Sequence, residues 1–374
     1  MDLSLTETQL LIKESTGDFV RNDCNKDILL DLDLLPAPMT DALWGKIAGL
    51  GWMGMMIPEE FGGTGNSCTD VAVLYEELGR GPVPGPMFSS GVLAASIILE
   101  AGTDAQKKAW LPELATGERI FAVAVTEEHY GWTEAHVQMT AAPSGADYTL
   151  SGVKLFVQDA ASATDFLVAA RIDGKVALLR IDARADGVST RPLTGFISGG
   201  AEVIFDKATV SGADRLEGAN GGDWAAFERA LLPAIPILCA YKVGACGAVF
   251  DMSVDYSRER TQFGQAIGRF QRVQDHVIHI VNYLDAARWT TYEALWKLDT
   301  GMESASSVHT AKAVASDSYL HAVDYGHEVH AGIGVVREYG LTLHSKMSRS
   351  LFHFLGAPTH HRKCMERALD FIPA

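Results

Sequence analysis

The hydrophobic period of this chain changes twice, and that change limits the folds open to it. Up to about residue 118 the apolar residues recur at helical spacing. Ser4-Leu-Thr-Glu7 has the form of a capping box, and Leu10, Leu11, Ser15, Phe19 and Val20 follow on roughly one helical face. Segments 43–50 (ended by Gly51), 71–78 and 106–114 are further helical candidates. From about Phe121 the period shortens to two. Tyr148 and Leu150, then Val153, Leu155 and Val157, alternate with their neighbours, as do Phe166 and Val168. Segments 176–181 and 201–205 are further strand candidates, set apart by glycine, aspartate and proline. From about Gly222 the pattern is helical again, in long segments near 226–258, 270–299, 303–331 and 359–371. The order helix, strand, helix makes this an α+β chain with a helical region over 1–118, a β-domain over 119–221 and a helical region over 222–374.

A chain of 374 residues can bury a core for two or three such units. Its formal charge of −16 argues against nucleic acid and anionic membrane surfaces as partners, although a local basic patch can still hold a phosphate. The five cysteines are odd in number and form no CxxC pair, so a disulfide framework or zinc site is not expected. Met1-Asp-Leu-Ser-Leu-Thr-Glu7 lacks the basic and apolar regions of a signal peptide. The longest apolar run, near 230–240, contains Pro233 and Pro236 and is too short to span a bilayer. These features predict a soluble protein of the reducing cytoplasm.

The stretch Tyr256-Ser-Arg-Glu-Arg-Thr-Gln-Phe-Gly-Gln-Ala-Ile-Gly-Arg-Phe-Gln271 joins a helix to a loop with an arginine, an amide, an aromatic ring and a glycine. That set suits an anionic, ring-bearing ligand. Three other segments stand beside it in chain order: Gly51-Trp-Met-Gly-Met-Met-Ile-Pro-Glu-Glu-Phe-Gly-Gly-Thr-Gly65 with Tyr75-Glu-Glu-Leu-Gly-Arg80, then Trp110-Leu-Pro-Glu-Leu-Ala-Thr-Gly-Glu118, and His330-Ala-Gly-Ile-Gly-Val-Val-Arg-Glu-Tyr339. Together they resemble the signatures of the acyl-CoA dehydrogenase flavoproteins over nearly the whole chain.

The resemblance implies an N-terminal helical domain, a central β-domain and a C-terminal four-helix bundle, with FAD bound near a subunit interface. It implies oxidation of an acyl-CoA thioester to 2-enoyl-CoA, with a carboxylate base taking the α-proton. Electron-transfer flavoprotein is the implied electron acceptor, and a homo-oligomer or a heteromeric partner of the same family the implied assembly. Arg260 would pair with the FAD pyrophosphate, and Gln262 and Phe263 would contact the cofactor of a neighbouring subunit. Gln271 and Gln274 are further polar candidates. Thr126, Glu127 and Gly131 match the family's Thr-Glu-Pro-Gly-Ala-Gly-Ser-Asp segment, whereas Glu128, Trp132 and Thr133 depart from it. Phe156 and Gln158 stand where the family has residues against the flavin ring. Glu328 replaces a glutamine, and Gly332 lies in the glycine run expected to let backbone approach FAD. Each has a plainer reading beside it: a solvated turn for Arg260, a core aromatic for Phe156, a helix-ending turn for the glycines.

The base is missing. The two positions used in the family fall on Leu355 and Ala234, and neither residue can take a proton. Glu228 is the acid nearest to Ala234, and His353 is the one titratable side chain within three residues of Leu355. Three readings follow: a dehydrogenase acting as one subunit of an oligomer, a non-catalytic subunit completing the FAD site of a heteromeric dehydrogenase, or an enzyme of base-free flavin elimination or reduction. The departures at Trp132, Thr133, Ala234, Leu355 and Lys346-Met-Ser348 favour the second.

Overall fold

The computed structural model describes residues 4–35, 37–195 and 199–369. The first helix, α1 (Glu7–Asp23), is capped two residues later than the sequence pattern predicts. Gln9 N donates to Thr6 Oγ1 at 3.2 Å and Thr6 N donates to Gln9 Oε1 at 3.0 Å. Both Ser4–Glu7 and Thr6–Gln9 have the required spacing. The second pair also buries Gln9, whose Nε2 donates to Asp70 Oδ1 at 2.8 Å. The predicted apolar face is corrected as well: Gln9, Thr16, Gly17 and Phe19 are buried, while Leu10 and Leu11 are 53% and 61% exposed.

The chain continues through α2 (Lys26–Leu32), α3 (Asp41–Gly49), α4 (Cys68–Arg80), α5 (Ala95–Ala101) and α6 (Asp104–Ala115). The strands are β1 (Phe121–Ala124), β2 (Thr140–Ser144), β3 (Asp147–Gln158), β4 (Asp165–Ile172), β5 (Lys175–Asp182), β6 (Val188–Pro192) and β7 (Gly200–Val210). They form one seven-stranded sheet in the order β1-β4-β2-β3-β7-β6, with β5 paired to β4. Only β4 pairs in parallel, with β1 and at one position with β2; the other ladders are antiparallel. Leu150, Val157, Phe166, Val168, Val203 and Phe205 lie in the core that this sheet buries. Then come α7 (Trp224–Glu259), a hairpin of β8 (Thr261–Gln262) and β9 (Gln265–Ala266), α8 (Gln271–Asp299), α9 (Ala305–His330), α10 (Leu341–Phe352) and α11 (Pro358–Ala368).

Two compact units emerge from this chain. One comprises the segment up to Leu34, Cys68–Val83 and the chain from Ile235; it is helical. The other comprises Leu35–Ser67 and Pro84–Ala234 and contains the sheet. Within the helical unit α4 and α7 meet at glycines. A Cβ on Gly79 would stand 1.9 Å from Tyr241 O, and one on Gly244 would stand 1.7 Å from Glu76 O. The helix α7 runs through Pro233 and Pro236 instead of breaking there, because burial of its apolar length outweighs the amide bonds that proline removes. It is thereby long and apolar enough to cross a membrane, which the run near 230–240 alone was not. Its most apolar stretch is 89% buried inside the protein, as in a core helix.

Candidate active site

At one end of the helical unit three rings gather the elements that carry most of the predicted flavin contacts. Tyr256 stacks on His330 at 4.8 Å and meets Tyr339 edge-on at 6.2 Å. This joins the last turns of α7 and α9 to the turn before α10. Arg260 follows directly, its amide donating to Tyr256 O at 2.9 Å. Its side chain is exposed and has no ion pair among the described residues. Phe263 and Gly264 make the two-residue turn of the β8–β9 hairpin at φ 53° and φ 81°. Glycine suits that region; phenylalanine enters it at a cost. The Phe263 ring is nevertheless 92% exposed, and it meets Phe270 edge-on at 6.0 Å. Gln262 and Gln271 are exposed nearby in sequence, whereas Gln274 Nε2 donates to Gly268 O at 2.9 Å. Glu328 is exposed on the last turn of α9. A Cβ on Gly332 would meet nothing within 4 Å, so this chain's own packing does not demand that glycine. Gly334 is the constrained one, with His327 Nδ1 3.0 Å from where a Cβ would be.

In the sheet unit, Thr126 is buried and its hydroxyl donates to Leu155 O, while Leu155 N donates back to Thr126 O at 2.8 Å. Glu127 accepts from Lys154 Nζ at 2.6 Å and from the amides of Gln138 and Met139 at 3.0 and 3.1 Å. Lys154 has no exposed surface, and burial pulls its ammonium down to about 8 although Glu127 opposes the shift. These bonds fix a break in the β3–β7 register between Lys154 and Val157. Phe156 sits in that break at φ 57°, half-buried, with the Tyr130 ring edge-on at 4.7 Å. Gln158 is half-buried at the strand end. Trp132 is 9% exposed, so a large ring is packed where the resemblance places serine. Asp159, outside every motif read from the sequence, accepts from Ser89 Oγ at 2.6 Å, and burial pushes its carboxyl up to about 6. Ser89 belongs to none of those motifs either; only the fold joins the two.

The two positions where the resemblance places the base, Ala234 and Leu355, carry side chains that take no proton. Ala234 is fully buried on α7, and Glu228 on the same helix is exposed. Six residues at about 100° each place Glu228 on a different face. Leu355 is 1% exposed and holds φ 59°. The loop around it is held through its carbonyls: Lys242 Nζ donates to Leu351 O at 3.0 Å and Lys312 Nζ to Gly356 O at 3.0 Å. The two ammonium groups share Ser316 Oγ at 2.8 and 3.1 Å, and His361 Nε2 pairs with Leu355 O at 2.8 Å. Burial pulls Lys242 down to about 8, and Lys312 also falls, through burial and then through Lys242. His353 is exposed at the end of α10; burial of its ring and the two lysines lower its proton affinity. Among the described residues these contacts to the loop come from two lysines and a histidine and from no carboxylate.

The seven-stranded sheet unit and the helical unit with its exposed arginine hairpin fit the family that the sequence motifs resemble. The family models agree: residues 6–118 match the acyl-CoA dehydrogenase N-terminal domain and residues 223–369 the acyl-CoA dehydrogenase C-terminal domain. The chain belongs to the acyl-CoA dehydrogenase family of oxidoreductases, whose members are FAD flavoproteins. It is 29% identical over 356 residues to the (2S)-methylsuccinyl-CoA dehydrogenase of Cereibacter sphaeroides, a match covering 90% of this chain and 64% of that protein. It is 28% identical over 345 residues to the 3-(aryl)acrylate reductase of Clostridium sporogenes, covering 89% of this chain and 91% of that protein. Among solved structures, a variant of the Tcur3481-Tcur3483 steroid ACAD superposes with a TM-score of 0.86 at 26% identity, covering 97% of this chain and 98% of that one.

Proposed function

We propose that this chain is one subunit of an FAD-dependent acyl-CoA dehydrogenase, and that it contributes to a flavin site without supplying the base. Its product would be a 2-enoyl-CoA, its electron acceptor electron-transfer flavoprotein, and its compartment the cytoplasm. The observation that carries this reading is Leu355: buried, apolar, and seated in a loop whose carbonyls are held by Lys242, Lys312 and His361.

The residues present fit the cofactor on the helical side. Arg260 offers a fork of donors to a diphosphate, and no described carboxylate competes for it. Gln262 and Gln271 supply exposed amides, and Phe263 presents a whole ring to whatever lies beyond the chain. In the sheet unit Phe156 and Gln158 are the candidates for the flavin ring, while Trp132 narrows the loop that precedes them. Bound FAD would accept the β-hydride of the thioester. The chain's own part would be to bind and orient. The α-proton would go to a carboxylate on another subunit, because loss of a general base typically costs about 10²–10⁴ in rate.

The test is purification of the chain alone and together with a co-expressed family member that carries the glutamate. The proposal expects little flavin and no dye-linked acyl-CoA oxidation from the chain alone, and both from the pair. A yellow chain that oxidises acyl-CoA by itself would refute it. Because one relative is named a reductase, the same preparations are assayed for reduction of a 2-enoyl thioester. Turnover in that direction by the chain alone would replace the subunit reading with base-free reduction.

A further inference from the structure

We propose that the helical unit holds a second small-molecule site, for a ligand with one anionic head and a short apolar body, in the cavity where the end of α1 and the start of α2 face the end of α4 and the first turn of α10. The cavity measures about 370 Å³, within the size of small-ligand pockets. Arg21, Lys26 and Arg80 stand around it, and among the described residues no aspartate or glutamate lines it. That is a local reversal of sign in a chain of net charge −16. Leu29 and Leu343 give it an apolar floor, Leu29 being 4% exposed. The three cations are not equivalent. Arg21 pairs with Asp18, and Arg80 pairs with Asp251 at 2.5 Å. Lys26 has no ion pair among the described residues, and its stem lies 3.1 Å from where a Cβ on Gly340 would be.

A second observation points into the same cavity. His344 lines it, is 3% exposed, and has its Nδ1 paired with the Tyr319 hydroxyl at 3.0 Å. Its Nε2 makes no hydrogen bond among the described residues. Burial, and then the Arg80 charge, pull the imidazole down to about 4, so it is neutral at pH 7. In the tautomer in which Tyr319 donates to Nδ1, the ring proton sits on Nε2 and is a donor for a head group. A carboxylate or phosphate monoester head would satisfy Nε2–H and Lys26 together, while its chain replaced water over Leu29 and Leu343.

The experiment is calorimetric titration of the purified full chain with octanoate, octyl phosphate, octanol and acetate. Octanoate or octyl phosphate should bind at one site per chain, and the stronger of the two identifies the head group. Octanol and acetate should each bind at least about tenfold more weakly, since one charge-assisted hydrogen bond is worth about 1.5–3 kcal/mol. Lys26→Gln should weaken the anion about tenfold without changing the melting temperature, because Lys26 is exposed. Leu343→Trp, which fills the floor, should abolish binding in a chain whose circular dichroism is unchanged. Equal binding of octanol would reduce the cavity to an apolar hollow. Anion binding that Lys26→Gln and Leu343→Trp leave intact would belong to another site, and either result overturns the proposal, as does the absence of any saturable heat. None of these outcomes depends on flavin, on a partner chain or on acyl-CoA turnover.

Discussion

Lys154 has no exposed surface and a single carboxylate partner, Glu127, which two backbone amides also hold. Replacing the carboxylate by an amide would leave the buried ammonium with neutral oxygens, Val125 O at 3.1 Å among them, and no counter-charge. Glu127→Gln should therefore destabilise the chain by about 3–5 kcal/mol, and Lys154→Met added to it should recover much of the loss. Urea denaturation of the three variants measures both effects, and an unchanged midpoint in Glu127→Gln would show the pair to be dispensable. Lys242 gives a pH signature of known sign. Its folded-state pKa of about 8 lies below the usual 10.5, so between those values the unfolded chain binds more protons than the folded one. The stability that Lys242 contributes therefore rises as pH climbs from about 8 to about 10.5. Lys242→Met should flatten that rise, and should also lose about 1–3 kcal/mol at every pH by stranding Leu351 O. Denaturation curves across this range, wild type minus variant, isolate the lysine from other titrating groups. Neither lysine is legible in the sequence: a lysine in a strand or helix reads as surface until a fold closes over it. The vacancy at Leu355 and Ala234 is legible, because a side chain without a titrating atom says so in one letter.

Two glycines set how closely α4 and α7 approach. Gly79→Ala and Gly244→Ala would each put a Cβ within 2 Å of a backbone oxygen of the facing helix. The gain of about 1 kcal/mol in helix propensity is smaller than the repacking cost of about 1–3 kcal/mol, to which a backbone displacement adds. Both variants should melt below the wild type. Gly45→Ala in α3 is the matched control: its Cβ would meet nothing within 4 Å, so it should stabilise by about 0.5–1 kcal/mol. If all three shift the melting temperature the same way, close approach is not what these glycines provide. That Gly79 and Gly244 meet the facing helix is not legible in the sequence, since a helix pattern names its own small residues without naming the partner that needs them. The same limit runs through the elements. The alternation over 148–157 became β3 and the apolar run 176–181 became β5. The strands β1, β2 and β6 and the helices α2, α5 and α10 are not among the elements that the sequence pattern predicts; four- and five-residue strands show hardly one period of alternation, and seven-residue helices hardly two turns. The capping box slipped by two residues because a tertiary bond, Gln9 to Asp70, chose between two locally equal options.

At the scale of the whole molecule, binding flavin and removing a proton are separable tasks, and the proposed function gives this chain a part in the first alone. The exposed Arg260, Gln262 and Phe263 are costly ornaments on a monomer: Phe263 occupies a left-handed turn only to hold its ring in solvent. They make physical sense if a second chain brings the rest of a cofactor site to them. In a complex with a glutamate-bearing family member, Arg260→Ala in this chain should lower FAD affinity by about ten- to a hundredfold, the worth of one charge-assisted bond to phosphate. The partner's sequence would be unchanged, so the loss would trace to this subunit. Flavin absorbance per complex after extensive dialysis measures it, and Arg260→Lys should restore only part, since an ammonium cannot reproduce the two-pronged contact. Raised salt should weaken FAD retention in the wild type more than in Arg260→Ala, because screening acts on a charge that the variant no longer has. A complex that keeps its full flavin in Arg260→Ala would mean that the hairpin's exposed arginine serves something other than the cofactor, and the case for this chain as a contributor to the flavin site would fall with it.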